Sequence, residues 1–274
     1  MTVCLALAQI AEVGDAEERV GRVLGAMREA KTGGADVIAF PELAGLPFFP
    51  QHEEFDSAAS LAEPIPGPTA ERISRAAKEL GLVTVYNMYE VADGEYFDSS
   101  PVFDADGAHL GTTRMVHITD YVCFHERSYY TAGDRGAPVY DTAVCKLGVA
   151  ICYDRHYPEY MRALGVGGAE LVVIPQAGAV NEWPEGMYEA EVRTAAFQNG
   201  YFAALCNRVG EEKRLTFSGE SFVVDPEGRV VARGKKLEED LVLADLDLAL
   251  CGSSPARSLF WRDRRPELYG HWLA

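Results

Sequence analysis

Short apolar runs with a two-residue rhythm alternate along this chain with longer stretches whose apolar positions recur every three or four residues, the patterns of strands and helices. A strand is predicted near residues 2–10, a helix near 16–32 and a short strand over Asp36-Val37-Ile38-Ala39-Phe40. The Pro-rich stretch from Glu63 to Thr69 leads into a helix near 69–80 and a strand from Leu82 to Met88. A hairpin of 95–103 and 108–113 then turns at Asp106-Gly107. Residues 114–136 have no clean period and read as a long loop. Strands near 138–140 and 147–152, a helix near 157–166, the strand Glu170–Pro175 and a helix near 185–199 follow. Strands at 201–207, 219–225, 229–233 and 241–245 complete the pattern, and an irregular tail is expected from about residue 246. With no internal repeat or low-complexity linker, this alternation predicts a single α/β domain over 1–274.

Long loops inside such a domain, and strand carboxyl ends above all, are where ligands gather, which directs attention to 41–56, 114–136 and 176–188. The apolar run Lys146–Ile151 ends at Cys152 and is followed by Tyr153-Asp154-Arg155-His156-Tyr157-Pro158-Glu159, a turn opening a helix. A thiol at a helix N-terminus is expected to have a lowered pKa and to act as a nucleophile. Its competing reading is a buried small hydrophobe. Glu42 follows Pro41 just past a strand end, where it is either a solvated surface charge or a carboxylate turned toward the rim that carries Cys152. Glu126 lies in the long loop, where it either pairs with Arg127 or Arg135 or joins the same rim.

Composition narrows the field. A formal charge of −17 argues against nucleic acid or an anionic membrane as partner. No run approaches a membrane span, and the first residues lack a basic leader, as expected of a cytoplasmic protein. The six cysteines form no C-x-x-C pair, the six histidines no H-x-x-x-H pair, and no Gly-rich phosphate loop is evident. No metal and no cofactor are expected.

Taken together, Phe40-Pro41-Glu42-Leu43, Arg114-x-x-His117-Ile118, Glu126 with Tyr130-Thr131-x-Gly133-Asp134, and Gly148-Val149-Ala150-Ile151-Cys152-Tyr153-Asp154 resemble the nitrilase superfamily of carbon–nitrogen hydrolases. The resemblance continues through Gly168-Ala169-Glu170, Asn207-Arg208-Val209-Gly210, Gly219-x-Ser221 and Arg265-Pro266-x-x-Tyr269, nearly the full chain. It implies a four-layer α-β-β-α sandwich that assembles as a homodimer or higher homo-oligomer. It further implies Cys152 as nucleophile, Glu42 as general base and Glu126 as an auxiliary carboxylate, with the Tyr153 N–H as a natural oxyanion donor.

In one position the chain departs from that pattern. The superfamily's catalytic lysine falls in Arg-Lys-x-His, and this chain reads Arg114-Met115-Val116-His117, with no lysine between Lys78 and Lys146. Losing an oxyanion-stabilising cation typically costs on the order of 10²–10³ in kcat, and at least one of the carboxyl groups should then hold a proton. Arg114, His117, His125, Arg127 and Lys213 are the cationic residues available as replacements, and a non-hydrolytic ligand-binding site is the alternative to a hydrolase.

The segment after Cys152 resembles the branch that hydrolyses N-carbamoyl amino acids, including β-ureidopropionase-like enzymes. There Arg155 would grip a substrate carboxylate bidentately, or else pair structurally with Asp154 or Glu159. His156, Gln176 and Trp183 complete the expected substrate-binding set, Trp183 serving equally as a pocket wall or a subunit contact. The expected substrate is a small linear amide.

Overall fold

The computed structural model describes residues 1–12 and 14–272; Val13 and the last two residues of the expected domain and tail lie outside them. Strands β1 (Thr2–Gln9), β2 (Val37–Ala39), β3 (Val83–Val85), β4 (Met88–Ala92), β5 (Glu95–Phe103) and β6 (His109–Arg114) build a first sheet. It is completed by β15 (Asp240–Asp247), in the order β15-β1-β2-β3-β5-β4 with β6 also on β5. The second sheet has the order β14-β13-β10-β9-β8-β7. Its members are β7 (Val139–Asp141), β8 (Lys146–Val149), β9 (Leu171–Gln176), β10 (Phe202–Asn207), β13 (Phe222–Val224) and β14 (Val230–Arg233). β11 (Val209–Glu211) and β12 (Thr216–Ser218) form a separate hairpin.

Because successive side chains of a strand point to opposite faces, each central strand contributes to two cores. Leu5 and Leu7 of β1, Leu147 and Val149 of β8, and Leu171 and Val173 of β9 share the core between the sheets. Ala6 and Ile38 face outward onto Val23 and Met27 of α1 (Ala16–Thr32) and Ile73 and Ala77 of α2 (Pro68–Leu80). Val172, Ile174 and Ala203 meet Met161 and Leu164 of α3 (Pro158–Val166) and Val192 and Ala196 of α4 (Met187–Asn199). Two sheets packed face to face with helices outside are the four-layer α-β-β-α sandwich expected. Local chemistry sets the helix ends: Asp15 and Glu18 form a capping box on α1, while α2 begins at Pro68 and stops at left-handed Gly81.

Three expectations need correction. The tail beyond β15 is helical rather than irregular, with α5 (Ala249–Ser253), a π-turn over Ala256–Phe260, a 3-10 turn over Trp261–Asp263 and α6 (Pro266–Trp272). Each piece is too short for a periodic pattern and is held by tertiary contacts such as Arg257 Nη2 to the Gly165 and Ala169 carbonyls. The strand predicted to run to Cys152 stops at Val149. The run Leu82–Met88 breaks after Val85, β4 starting at Met88, and the β11–β12 hairpin has no predicted counterpart because three-residue strands carry too little alternation. Among the described residues, no helix is long and apolar enough to cross a membrane.

Candidate active site

The chain leaves β2 through Phe40 and Pro41, and Glu42 turns inward with no exposed surface. Arg208, the residue after β10, holds this bend: its Nη1 donates to the Glu42 and Leu43 carbonyls at 3.2 and 3.3 Å, and its Nη2 to the Leu46 carbonyl at 2.7 Å. Arg208 is itself ion-paired with the nearly buried Glu212. Replacing Arg208 with Met strands Glu212 and is expected to lower unfolding stability by about 3–5 kcal/mol, read from urea titration.

Cys152 follows β8 and opens a 3-10 turn over Cys152–His156; α3 begins only at Pro158. Its φ of 42° is a left-handed conformation that non-glycine residues rarely adopt, a strain that costs of order 1–3 kcal/mol and that concentrates at functional sites. The bend points the thiol away from the strand line, and Sγ accepts from Gln176 Nε2 at 3.1 Å. Glu126 sits in a 3-10 turn (Glu126–Ser128) of the long loop, fully buried, with Oε2 accepting from the Thr119 N–H at 3.3 Å.

These elements bring Glu42, Glu126 and Cys152 together, one carboxylate oxygen from each glutamate and the Cys152 sulfur all lying within 4.8 Å of one another. These three residues form the only grouping of acidic, thiol or imidazole groups close enough together to hold a metal ion that is found among the described residues. Burial first, then the nearby Glu126, pushes Glu42 up to about 8. Glu126 is raised well above the carboxylate range by burial and then by Asp98. Cys152 is raised well above an ordinary thiol by burial, Glu42 and Glu126, with Arg155 opposing them. The lowered thiol pKa expected from a helix N-terminus is therefore reversed: no α-helix starts at Cys152, and the thiol is only 4% exposed among carboxyl groups. A thiol held neutral beside a carboxyl group poised near neutrality needs that group to take its proton.

Arg155 is buried beside Cys152. Its Nη1 donates to the Cys152 carbonyl and to Gln176 Oε1, both at 2.9 Å, and its Nε lies 3.3 Å from Glu191 of α4 rather than by Asp154 or Glu159. His156 Nδ1 is 2.6 Å from the other Glu191 oxygen, and its ring lies edge-on to Trp183 and Tyr153. Tyr153, His156, Trp183, Met187 and Glu191 line a depression of about 280 Å³ at the turn that Cys152 opens. Gln176 therefore joins Cys152 and Arg155, while His156 and Trp183 line that depression.

Met115 is buried in the same core as Cys152. Its N–H donates to the Asp98 carbonyl at 2.9 Å, and its carbonyl accepts from Gly133 at 2.7 Å. A Cβ at residue 133 would lie 2.5 Å from the Arg114 carbonyl, so only glycine permits this close approach. The cationic residues named as replacements are engaged elsewhere: Arg114 pairs with Glu90 and Asp134, His117 with Asp154, and His125 with Asp120. Arg127 donates to the Ile118 carbonyl, and Lys213 stands in the turn between β11 and β12.

Sequence reasoning missed Asp98 and Glu182. Asp98 of β5 is buried against this site, and its only sequence signal is the polar run Asp98-Ser99-Ser100 inside an otherwise apolar strand pattern. Glu182, in the loop after β9, accepts from the Tyr121 hydroxyl at 2.5 Å, from the Tyr188 hydroxyl and from the Ala179 N–H. Its charge raises both Cys152 and Glu126. Asn207 anchors that loop, giving and receiving hydrogen bonds with Gly178.

Residues 4–256 match the carbon-nitrogen hydrolase family. The chain is 34% identical to an N-carbamoylputrescine amidase of Solanum lycopersicum, over 97% of this chain and 93% of the relative. It is 28% identical to a citrullinase of Francisella tularensis, over 97% and 96%. Among solved structures, a carbon-nitrogen hydrolase from Helicobacter pylori superposes with a TM-score of 0.93 at 28% identity, covering 100% of this chain and 99% of that one. Family match, relatives and geometry agree along the chain's length, and the protein belongs to the carbon–nitrogen hydrolase family as a hydrolase acting on amides.

Proposed function

We propose that this enzyme cleaves the carbamoyl group of N-carbamoyl amines through a thioester-type acyl-enzyme on Cys152. The observation that carries this reading is the buried grouping of Glu42, Glu126 and Cys152 within 4.8 Å. Glu42 takes the thiol proton as sulfur adds to the carbamoyl carbon, forming a C–S bond and a tetrahedral oxyanion. The backbone N–H of Tyr153 is the oxyanion donor, and Glu126 orients the substrate nitrogen. Glu42 returns the proton to the terminal nitrogen, ammonia leaves, and a water deprotonated by Glu42 then releases a carbamic acid that breaks down to amine and carbon dioxide.

The distal end of the substrate is read from charge. Glu182 acts on Cys152, Glu191 lines the depression at the turn that Cys152 opens, and Arg155 is buried and directed at Glu191. A cationic distal group suits this surround better than a second carboxylate does, in keeping with the 34% identity to an N-carbamoylputrescine amidase. Ammonia release from matched N-carbamoyl diamines and N-carbamoyl amino acids tests this. The diamines are expected to give at least tenfold higher kcat/KM. A preference for the amino acids would return Arg155 to a carboxylate-gripping role, and release from neither would favour a site that binds without turnover.

We also propose a homo-oligomer. The exposed Phe197, Leu259, Phe260 and Trp272 on α4 and the helical tail support it, and the mass in solution tests it.

A further inference from the structure

The chain has no lysine between residues 78 and 146, yet three carboxyl groups meet beside its nucleophile. Asp98 is the third. Its Oδ1 accepts from Asn87 Nδ2 at 2.6 Å, and Asn87 Oδ1 in turn accepts from the Leu43 N–H at 2.6 Å. One amide thus ties Asp98 to the bend that carries Glu42. Asp98 Oδ2 and both Glu42 oxygens are buried and meet no N–H donor. The two carboxyl groups are nevertheless within hydrogen-bonding reach of one another. Two ionised carboxylates cannot make that contact in a buried site, whereas a pair holding one proton can.

We propose that Asp98 is a positioning residue that shares one proton with Glu42, its Oδ2 hydroxyl donating to the Glu42 carboxylate and so orienting the base beside Cys152. A neutral acid then supplies the hydrogen bond for which the superfamily pattern places an ammonium at residue 115. The surroundings fit a retained proton. The charged or titratable groups that act on the pair are Glu126, Asp154, Cys152, Arg208 and the buried Tyr130 hydroxyl, and Arg208 is already ion-paired with Glu212. The burial and like charge that raise Asp98 well above the carboxylate range favour the same state.

The inference rests on Glu42 acting as base to Cys152, so its test reads that step without a substrate. The rate of Cys152 alkylation by iodoacetamide, followed by peptide mass, is measured against pH for the unaltered protein, Asp98→Asn and Asp98→Ala. Asparagine keeps the Asn87 contact and offers an N–H to Glu42, so its rate is expected within threefold of the unaltered protein, with the acid limb within half a pH unit. Alanine removes the donor, and the limb is expected to move up by one unit or more with a tenfold loss at pH 7.5. Adding Met115→Lys to Asp98→Ala is expected to restore at least tenfold. A shared limb for all three proteins, or no gain when Met115→Lys is added to Asp98→Ala, would overturn the proposal. Shifted limbs without turnover of any carbamoyl substrate would sink the proposed function and leave the proton pair standing.

Discussion

Cys152→Ala is expected to abolish ammonia release from every amide the unaltered protein turns over, with kcat falling on the order of 10⁴–10⁶, the scale seen when a covalent nucleophile is removed. The loss is so large because Glu42 and Glu126 have no independent route to the product: both converge on Cys152 Sγ, and a water in its place would lack the sulfur's nucleophilicity and the bend that aims it. The fold should persist. The thiol accepts a hydrogen bond from Gln176 Nε2, and alanine fits the space. Matched circular dichroism and thermal unfolding of the two proteins separate a chemical loss from a structural one. Residual release above about one part in 10³ would show that the thiol is not the nucleophile.

Glu42→Gln is expected to lower kcat/KM by about 10²–10⁴, the usual contribution of a positioned general base, while raising stability. The two effects share a cause, the burial of a carboxyl group among others. In the folded protein Glu42 is held up to about 8, against 4.5 for the free side chain. The folded state therefore keeps a proton that the unfolded chain has already lost between those values. The Glu42 contribution to stability is complete below about pH 4.5 and is lost as pH rises through about 8. Glutamine does not titrate, so the thermal midpoint of Glu42→Gln should exceed that of the unaltered protein by a margin that grows from pH 5 to pH 8.5. Scanning calorimetry across that range checks it, and a margin that did not change with pH would place Glu42 in its ionised form throughout. For the same reason, hydrolysis by the unaltered enzyme should increase with pH up to about 8, as Glu42 loses its proton.

Much of the frame was legible from local chemistry. Residues 16–32 match the observed α1 because its capping box and apolar spacing are local signals, and β1, β5 and β9 stand close to the expected ranges. Glu42, Glu126 and Cys152 were recognisable as a set because each has sequence neighbours that resemble a family pattern. The state of the thiol was not legible. A Pro-Glu pair six residues beyond Cys152 starts α3, but the intervening 3-10 turn keeps the thiol off its N-terminus. Burial then set the direction of the shift. Arg155 followed the same course: its partner is Glu191, brought from α4 across 36 residues, which no local spacing reveals.

The sequence by itself determined the layers and the chemistry on offer, since period-two and period-3.6 patterns decide which faces must be buried, and a thiol with two glutamates in surroundings that resemble a hydrolase family marks out the candidate site. Only the tertiary structure decided how those groups are charged and who their neighbours are. Asp98 reaches Glu42 because β5 pairs beside β3 in the first sheet, and Asn87 ties it to the bend after β2. Met115 faces the core that holds Cys152 because its backbone pairs with Asp98. Protonation depends on burial and on charges gathered from distant segments, quantities that exist only once the two sheets have closed on one another.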